Sequence, residues 1–244
     1  MKPLKTKVEA LAGKRIAEVF QSSNVPLDLK LETFPIYSRR KTVTRFLALY
    51  EIFKLVSEVK GSVVECGVNR GFGLMSWSLF SAVLEPANLM RRIYGFDSFD
   101  GFPSVNNKDK NPYQTAQQGG LRANSYEELS RLIGVYDTDR FLGHVDKVHL
   151  IKGDATQTIP IFIKKNRHLV VSLLFMDFDL YEPTKVALDH FVPRMPRGAV
   201  LAFDELDNKI WPGETEAVLD TLGMGKLRVR RLPWDPYIGY VVME

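Results

Sequence analysis

The chain has 244 residues, 45% hydrophobic and 25% charged, with a single cysteine and a formal net charge of +4. These fractions belong to an ordinary globule with a sizeable core, suit one large α/β domain or two small ones, and exclude disordered and fibrous classes. The lone Cys66 excludes a disulfide scaffold and a cysteine-based zinc site, and suits a reducing compartment.

Residues 1–60 read as a helical extension. Val8, Leu11, Ile16, Val19 and Phe20 recur near helical spacing, as do Phe46, Leu49, Tyr50, Phe53, Leu55 and Val56. Between them Asn24 to Tyr37, with Pro26 and Pro35, reads as an irregular connector. The first residues are basic but broken by charges, so they lack the apolar stretch of a secretory signal. From Gly61 the rhythm changes to short apolar runs at Ser62–Glu65, Arg92–Phe96, Val148–Ile151, Leu169–Met176 and Ala199–Phe203, which read as buried strands. Helix-length amphipathic segments at Gly73–Leu84, Ala155–Lys164, Pro183–Val192 and Glu214–Leu222 alternate with them. That alternation predicts a parallel sheet covered on both faces. Leu227–Leu232 and Tyr237–Val242, joined by Pro233-Trp-Asp-Pro236, predict an antiparallel hairpin at the sheet edge. One stretch, 101–145, is long and polar, and reads as a lid-like or binding insertion.

No apolar run reaches about 18 residues, so a spanning helix is not expected. The basic clusters Arg39-Arg40-Lys41 and Arg228-Val-Arg-Arg231 lack interleaved aromatics, so nucleic acid is not an expected partner. The expectation is a soluble, cytoplasmic protein.

Chemistry-bearing residues fall just after the strands. Val63-Val-Glu-Cys-Gly-Val-Asn-Arg-Gly-Phe-Gly73 is a strand, a turn with Gly67, Gly71 and Gly73, and a helix start. Such a turn lets backbone approach a ligand and presents free N–H groups, but it also serves as a plain structural turn. Its G-x-x-x-G-x-G spacing departs from the dinucleotide fingerprint and argues against NAD. Asp97, after the second strand, suits ribose hydroxyls or a turn; Asp154, after the third, suits an adenine amine or a helix cap. Their succession along the carboxyl ends of the strands points to a ligand site there.

Together with Phe96-Asp-Ser-Phe-Asp-Gly-Phe-Pro103 and Met176-Asp-Phe-Asp-Leu-Tyr-Glu-Pro-Thr184, these motifs resemble class I S-adenosylmethionine-dependent methyltransferases, and more specifically the macrocin O-methyltransferase family. The resemblance covers 61–244 and implies a Rossmann-like α/β fold. It implies O-methylation of a sugar hydroxyl in natural-product biosynthesis, on a nucleotide sugar or a glycoside. It places Glu65, Gly67 and Asn69 near the methionine part of the cofactor, with Gly71 and Gly73 in the same turn. Asp97 and Ser98 would meet the ribose, and Asp154 and Ala155 the adenine.

Acids end the fourth and fifth strands at Asp177, Asp179, Asp204 and Glu205. Converging carboxylates repel unless protons or a cation relieve them, and an oxygen-only donor set suits Mg²⁺. The resemblance implies Asp177, Asp204 and Glu205 as metal ligands, with Glu205 standing where relatives often carry a second aspartate. Asp179 is the candidate base, beside Asp177. Tyr181 and Trp211 are candidate sugar contacts that read equally as packing residues. Cys66 reads as a buried packing residue, and none of the four histidines has triad or metal spacing. Two other functions share these features: a catechol-type phenolic O-methyltransferase, and a non-catalytic binding protein on the same fold. The N-terminal helices suggest a homo-oligomer or a cover over the substrate.

Overall fold

The computed structural model describes residues 7–244, so the predicted structure of residues 1–6 lies outside the described residues. The chain divides into two compact units, one ending at Leu47 and the other running Ala48–Glu244. Helices α1 (Lys7–Ser22) and α2 (Leu27–Glu32), a 3-10 turn Phe34–Tyr37 and the start of α3 (Arg40–Lys54) make up the first. The segment expected to be irregular thus holds a short helix and a 3-10 turn. Both prolines open these elements, Pro26 as the cap before α2 and Pro35 in the first positions of the turn, where a missing N–H costs nothing. Lys30 Nζ closes the unit by donating to the Phe20 and Ser23 carbonyls at 2.5 and 2.9 Å, against the Phe20 ring.

In the second unit strands β1 (Ser62–Cys66), β2 (Ile93–Asp97), β3 (Val148–Lys152), β4 (Val171–Met176) and β5 (Val200–Phe203) run parallel, each within two residues of its predicted span. Every residue of β1, β4 and β5 is buried, which explains their unbroken apolar runs. Strands β6 (Arg230–Leu232) and β7 (Asp235–Val242) form the antiparallel hairpin, and the sheet order is β3-β2-β1-β4-β5-β7-β6. The hairpin connection is shorter than predicted. Asp235 already pairs with Leu232 and its Oδ1 accepts the Tyr237 N–H at 2.8 Å.

Helices α4 (Phe72–Leu84), α6 (Ala155–Lys165), α7 (Tyr181–Phe191) and α8 (Gly213–Thr221) cover the sheet. Polar Ser76 and Ser78 lie on the buried face of α4 and are satisfied by donating to the carbonyls one turn back, at 2.6 and 2.8 Å. The polar insertion holds a further helix, α5 (Tyr126–Asp139), whose Leu129, Ile133 and Tyr136 are buried. Its i, i+4, i+7 spacing was present in the sequence but masked by the surrounding polar run. At the amino edge of the sheet the buried Arg91 guanidinium pairs with Glu85 at 2.6 Å and donates to the Gly61 and Val56 carbonyls, both at 3.0 Å. Among the described residues no helix is long and apolar enough to cross a membrane.

Candidate functional site

Strand register decides where the site lies. Cys66 pairs with both Phe96 and Met176, Asp97 with Lys152, and Met176 with Phe203, so the parallel strands end along one line. The residues that follow, Gly67, Ser98, Asp154, Asp177 and Asp204, therefore emerge at one edge. A cleft of roughly 750 Å³, counting the solvent in its mouth, opens there. Gly67, Asn69, Asp97, Ser98, Asp154, Ala155, Asp177 and Asp179 line it. The insertion supplies the facing wall through Phe102 and Pro103, which end the motif that follows the second strand, and through Leu121, which the sequence did not mark out. Asn69, Leu121 and Asp179 border the cleft with left-handed backbone (φ 49°, 53° and 63°), a conformation that asparagine and aspartate tolerate better than leucine.

Of the three motif glycines only Gly67 lines the cleft. Its φ is +100°, and an ideal Cβ there would stand 1.9 Å from the Asp177 carbonyl oxygen. Backbone crosses backbone at this point, so no side chain fits. Gly71 instead makes room for Leu129 of α5, and Gly73 for the Glu65 carboxylate, whose two oxygens lie 2.6 Å from the Cβ an alanine would add. Glu65 is 2% exposed and its Oε2 accepts the Trp77 indole N–H at 2.5 Å. Glu65, Gly71 and Gly73 thus shape the turn from behind and do not line the cleft.

The acids at the end of β2 and after β3 carry local duties as well as facing the cavity. Asp97 Oδ2 accepts the Val68 and Asn69 N–H groups at 2.8 Å each, and Oδ1 accepts Phe99 N–H at 2.6 Å. It ties the glycine turn to the loop after β2. A carboxylate offers about four acceptor sites, so one stays available to a ligand hydroxyl. The Ser98 hydroxyl donates to the Gly101 carbonyl at 2.5 Å, closing that turn. Asp154 caps α6 through Oδ1, which accepts Thr156 N–H at 2.9 Å and the Thr156 hydroxyl at 2.8 Å. Ala155 follows at the first helical position.

A compact acidic centre lies at the ends of β4 and β5. Burial, then Glu205 and Asp204, push the Asp179 carboxyl from its ordinary 3.8 up to about 8. Glu214, absent from the expected site, is fully buried at the start of α8. Its Oε2 accepts Glu205 N–H at 3.1 Å, while Oε1 has no hydrogen-bond partner. Burial, Asp179 and Asp204 drive its pKa well above the carboxylate range. Its place within two residues of the Trp-Pro-Gly turn was the available signal, but a first-turn acid has an ordinary reading at a helix start. Among the described residues, no three His, Cys, Asp or Glu side chains stand close enough as they are to hold a metal ion.

The candidate aromatics pack on protein. Tyr181 is 8% exposed; its hydroxyl donates to Asp220 at 2.7 Å and Lys108 Nζ lies over its ring. Trp211 meets Phe102 edge-on at 5.9 Å and so braces a residue of the cleft wall. Burial raises the Cys66 thiol well above its usual value, which keeps it unreactive. Burial also lowers His149, which stacks on Tyr94 outside the cleft.

Parallel strands closed by an inserted antiparallel β7, a glycine turn after β1, and a cleft along the strand ends define a class I S-adenosylmethionine-dependent methyltransferase. The model of the macrocin O-methyltransferase (TylF) family matches residues 43–223, and the chain belongs to that family as an S-adenosylmethionine-dependent O-methyltransferase. Among solved structures it is similar to CalS11, a calicheamicin methyltransferase, at 34% identity and a TM-score of 0.94, over 98% of this chain and 93% of that one. An apo structure of CalS11, described as a TDP-rhamnose 3'-O-methyltransferase of calicheamicin biosynthesis, is similar at 31% identity and a TM-score of 0.85, over 98% and 95%. The O-methyltransferase NovP shares the fold at 23% identity and a TM-score of 0.64, over 82% and 79%. No curated protein matches the chain by sequence.

Proposed function

We propose that the protein methylates a hydroxyl of a sugar, carried on a nucleotide or attached to a natural product, with the help of a divalent cation. The observation that carries this reading is the acidic centre beside the cleft along the strand ends, in a chain 34% identical to CalS11 over nearly its whole length. Bound S-adenosylmethionine supplies an activated methyl on sulfur, and in-line transfer then depends on holding a hydroxyl at the right place.

In this reading Gly67 and Asn69 border the methionine part of the cofactor, Asp97 and Ser98 the ribose, and Asp154 and Ala155 the adenine. The acids suit a hard cation by chemistry: all donors are oxygens, their charges repel, and one buried Glu214 oxygen lacks a partner. Asp179, Asp204 and Glu205, whose charges act on one another, would hold it by drawing together from their present separation. A cation there would orient a sugar hydroxyl and lower its pKa. Asp177, which lines the cleft from the same strand end, would be the group to take the hydroxyl proton. This reading exchanges ligand and base between Asp177 and Asp179 relative to what the resemblance implies, and the influence of Glu205 and Asp204 on the Asp179 carboxyl supports it.

The test is transfer of labelled methyl from S-adenosylmethionine to a panel of TDP-sugars and glycosides, with Mg²⁺ or with EDTA. The reading expects transfer to a sugar that chelation removes and Mg²⁺ restores. Transfer that survives chelation refutes the cation, and turnover of a simple catechol without any sugar refutes the substrate class.

A further inference from the structure

We infer that Asp109 is a positioning residue: it pins the 101–145 insertion to the two segments that carry the acidic centre, and so sets where Asp179 stands in the cleft and where Glu205 stands in the acidic centre. Its catalytic consequence rests on the function proposed above. Asp109 lies in a 3-10 turn, Asn107–Asp109, outside every motif the sequence marked, yet it is 2% exposed.

Its two oxygens do different things. Oδ2 accepts Asn106 N–H at 2.7 Å, which closes its own turn and would suffice for a local cap. Oδ1 accepts the Tyr181 N–H at 2.6 Å, 72 residues away, at the first residue of α7 and two residues beyond Asp179. That bond satisfies one of the orphan donors at the helix start. The third party is Gly213, the first residue of α8. A Cβ there would stand 2.4 Å from Asp109 Oδ1 and 2.5 Å from Tyr181 N, so α8 reaches this junction only as glycine. Gly213 precedes Glu214, whose Oε2 holds Glu205 N–H. One buried carboxylate thus joins the insertion, the segment after β4 and the segment after β5.

Neighbouring contacts follow the same seam. The Asn106 side chain donates to Glu182 Oε1 at 2.7 Å, and Asn111 Nδ2 and Thr115 Oγ1 both donate to the Ile210 carbonyl, at 2.8 and 2.7 Å. Lys108 pairs with Asp220 on α8, but this pair is over a third exposed and exposed pairs contribute little. Asp109 is the buried member of the seam, so its loss should release the rest.

Hydrogen exchange on the cofactor-free protein, read with methyl-transfer kinetics, tests this in Asp109→Ala and Asp109→Asn. In Asp109→Ala the amides of 106–115 and of 204–214 should exchange about ten-fold faster together, while those of 171–176 stay unchanged. The kcat should fall by about ten-fold or more, since misplacing reacting groups slows chemistry. Asp109→Asn keeps a carbonyl for Tyr181 N–H and should restore both, with faster exchange confined to 106–110. Faster exchange confined to 106–110 in Asp109→Ala overturns the inference, as does an unchanged kcat with the seam open. Should Asp109→Ala not fold, Gly213→Ala opens the same junction and must give the paired acceleration; its absence overturns the inference equally. A wild-type protein that methylates no sugar refutes the proposed function, while the paired exchange still decides the role of Asp109.

Discussion

Asp179→Asn should make the cofactor-free protein more stable while it destroys activity. The wild-type carboxyl titrates at about 8 against an ordinary 3.8, because burial and the Glu205 and Asp204 charges disfavour its ionised form. The folded state therefore binds more protons than the unfolded chain between these two values, and stability falls as pH rises from about 4 to about 8. At about 1.4 kcal/mol per pH unit, keeping Asp179 protonated near pH 7.5 costs at most about 5 kcal/mol. Water in the cleft and sharing of charge with its neighbours reduce this to about 2 kcal/mol. Asparagine is uncharged, nearly the same shape, and among the residues most tolerant of the left-handed backbone at this position, where φ is 63°. For a protein of this length about 2 kcal/mol corresponds to a Tm higher by about 4–8 °C. Scanning calorimetry of both proteins with EDTA, from pH 5 to pH 9, is the assay. Wild-type Tm should decline across the range, the Asn variant should decline less, and the gap should widen with pH. Saturating Mg²⁺ should close the gap by stabilising the wild type alone. A variant less stable than wild type at pH 8, or a gap independent of pH, refutes the reasoning.

Other substitutions probe the turn and the cleft. Gly67→Ala, which drives a methyl into the Asp177 carbonyl, should lower Tm and abolish S-adenosylmethionine binding in calorimetry; a bound cofactor would contradict the backbone crossing described here. Trp77→Phe removes the indole donor from buried Glu65 and should cost about 1–3 kcal/mol of stability in urea melts. Because Glu65 does not line the cleft, that variant should bind the cofactor as tightly as wild type, and a large loss of affinity would put Glu65 back at the ligand. Asp154→Ala removes the cap of α6, costing about 1 kcal/mol. It should also weaken S-adenosylmethionine, since Asp154 lines the cavity; a pure stability loss would confine it to capping.

Much of this architecture was legible along the chain. Strand and helix alternation, the polarity of the last hairpin and the succession of acids after strands are local patterns, and each depends on periodicity or on residues a few positions apart. Gly67, Asp97, Ser98, Asp154, Ala155, Asp177 and Asp179 line one cleft because parallel strands in register must end together, which the pattern of βα units already entails. Periodicity also carried α5, through Leu129, Ile133 and Tyr136, but its polar surroundings hid it.

Tertiary structure decided what each group faces. Gly67, Gly71 and Gly73 are equivalent as letters, yet one borders the cleft, one clears Leu129 and one clears Glu65. Asp179 follows β4 in the chain, and packing against the end of β5 and the start of α8 brings it into the field of Asp204, Glu205 and Glu214. Asp109 belongs to an insertion whose composition looks like solvated loop, and it is buried because α7 and α8 begin beside it. Along the chain these partners are separated by tens of residues. Their approach is set by how whole elements stack, and so are the electrostatic field and the exclusion of water that give the groups their chemistry.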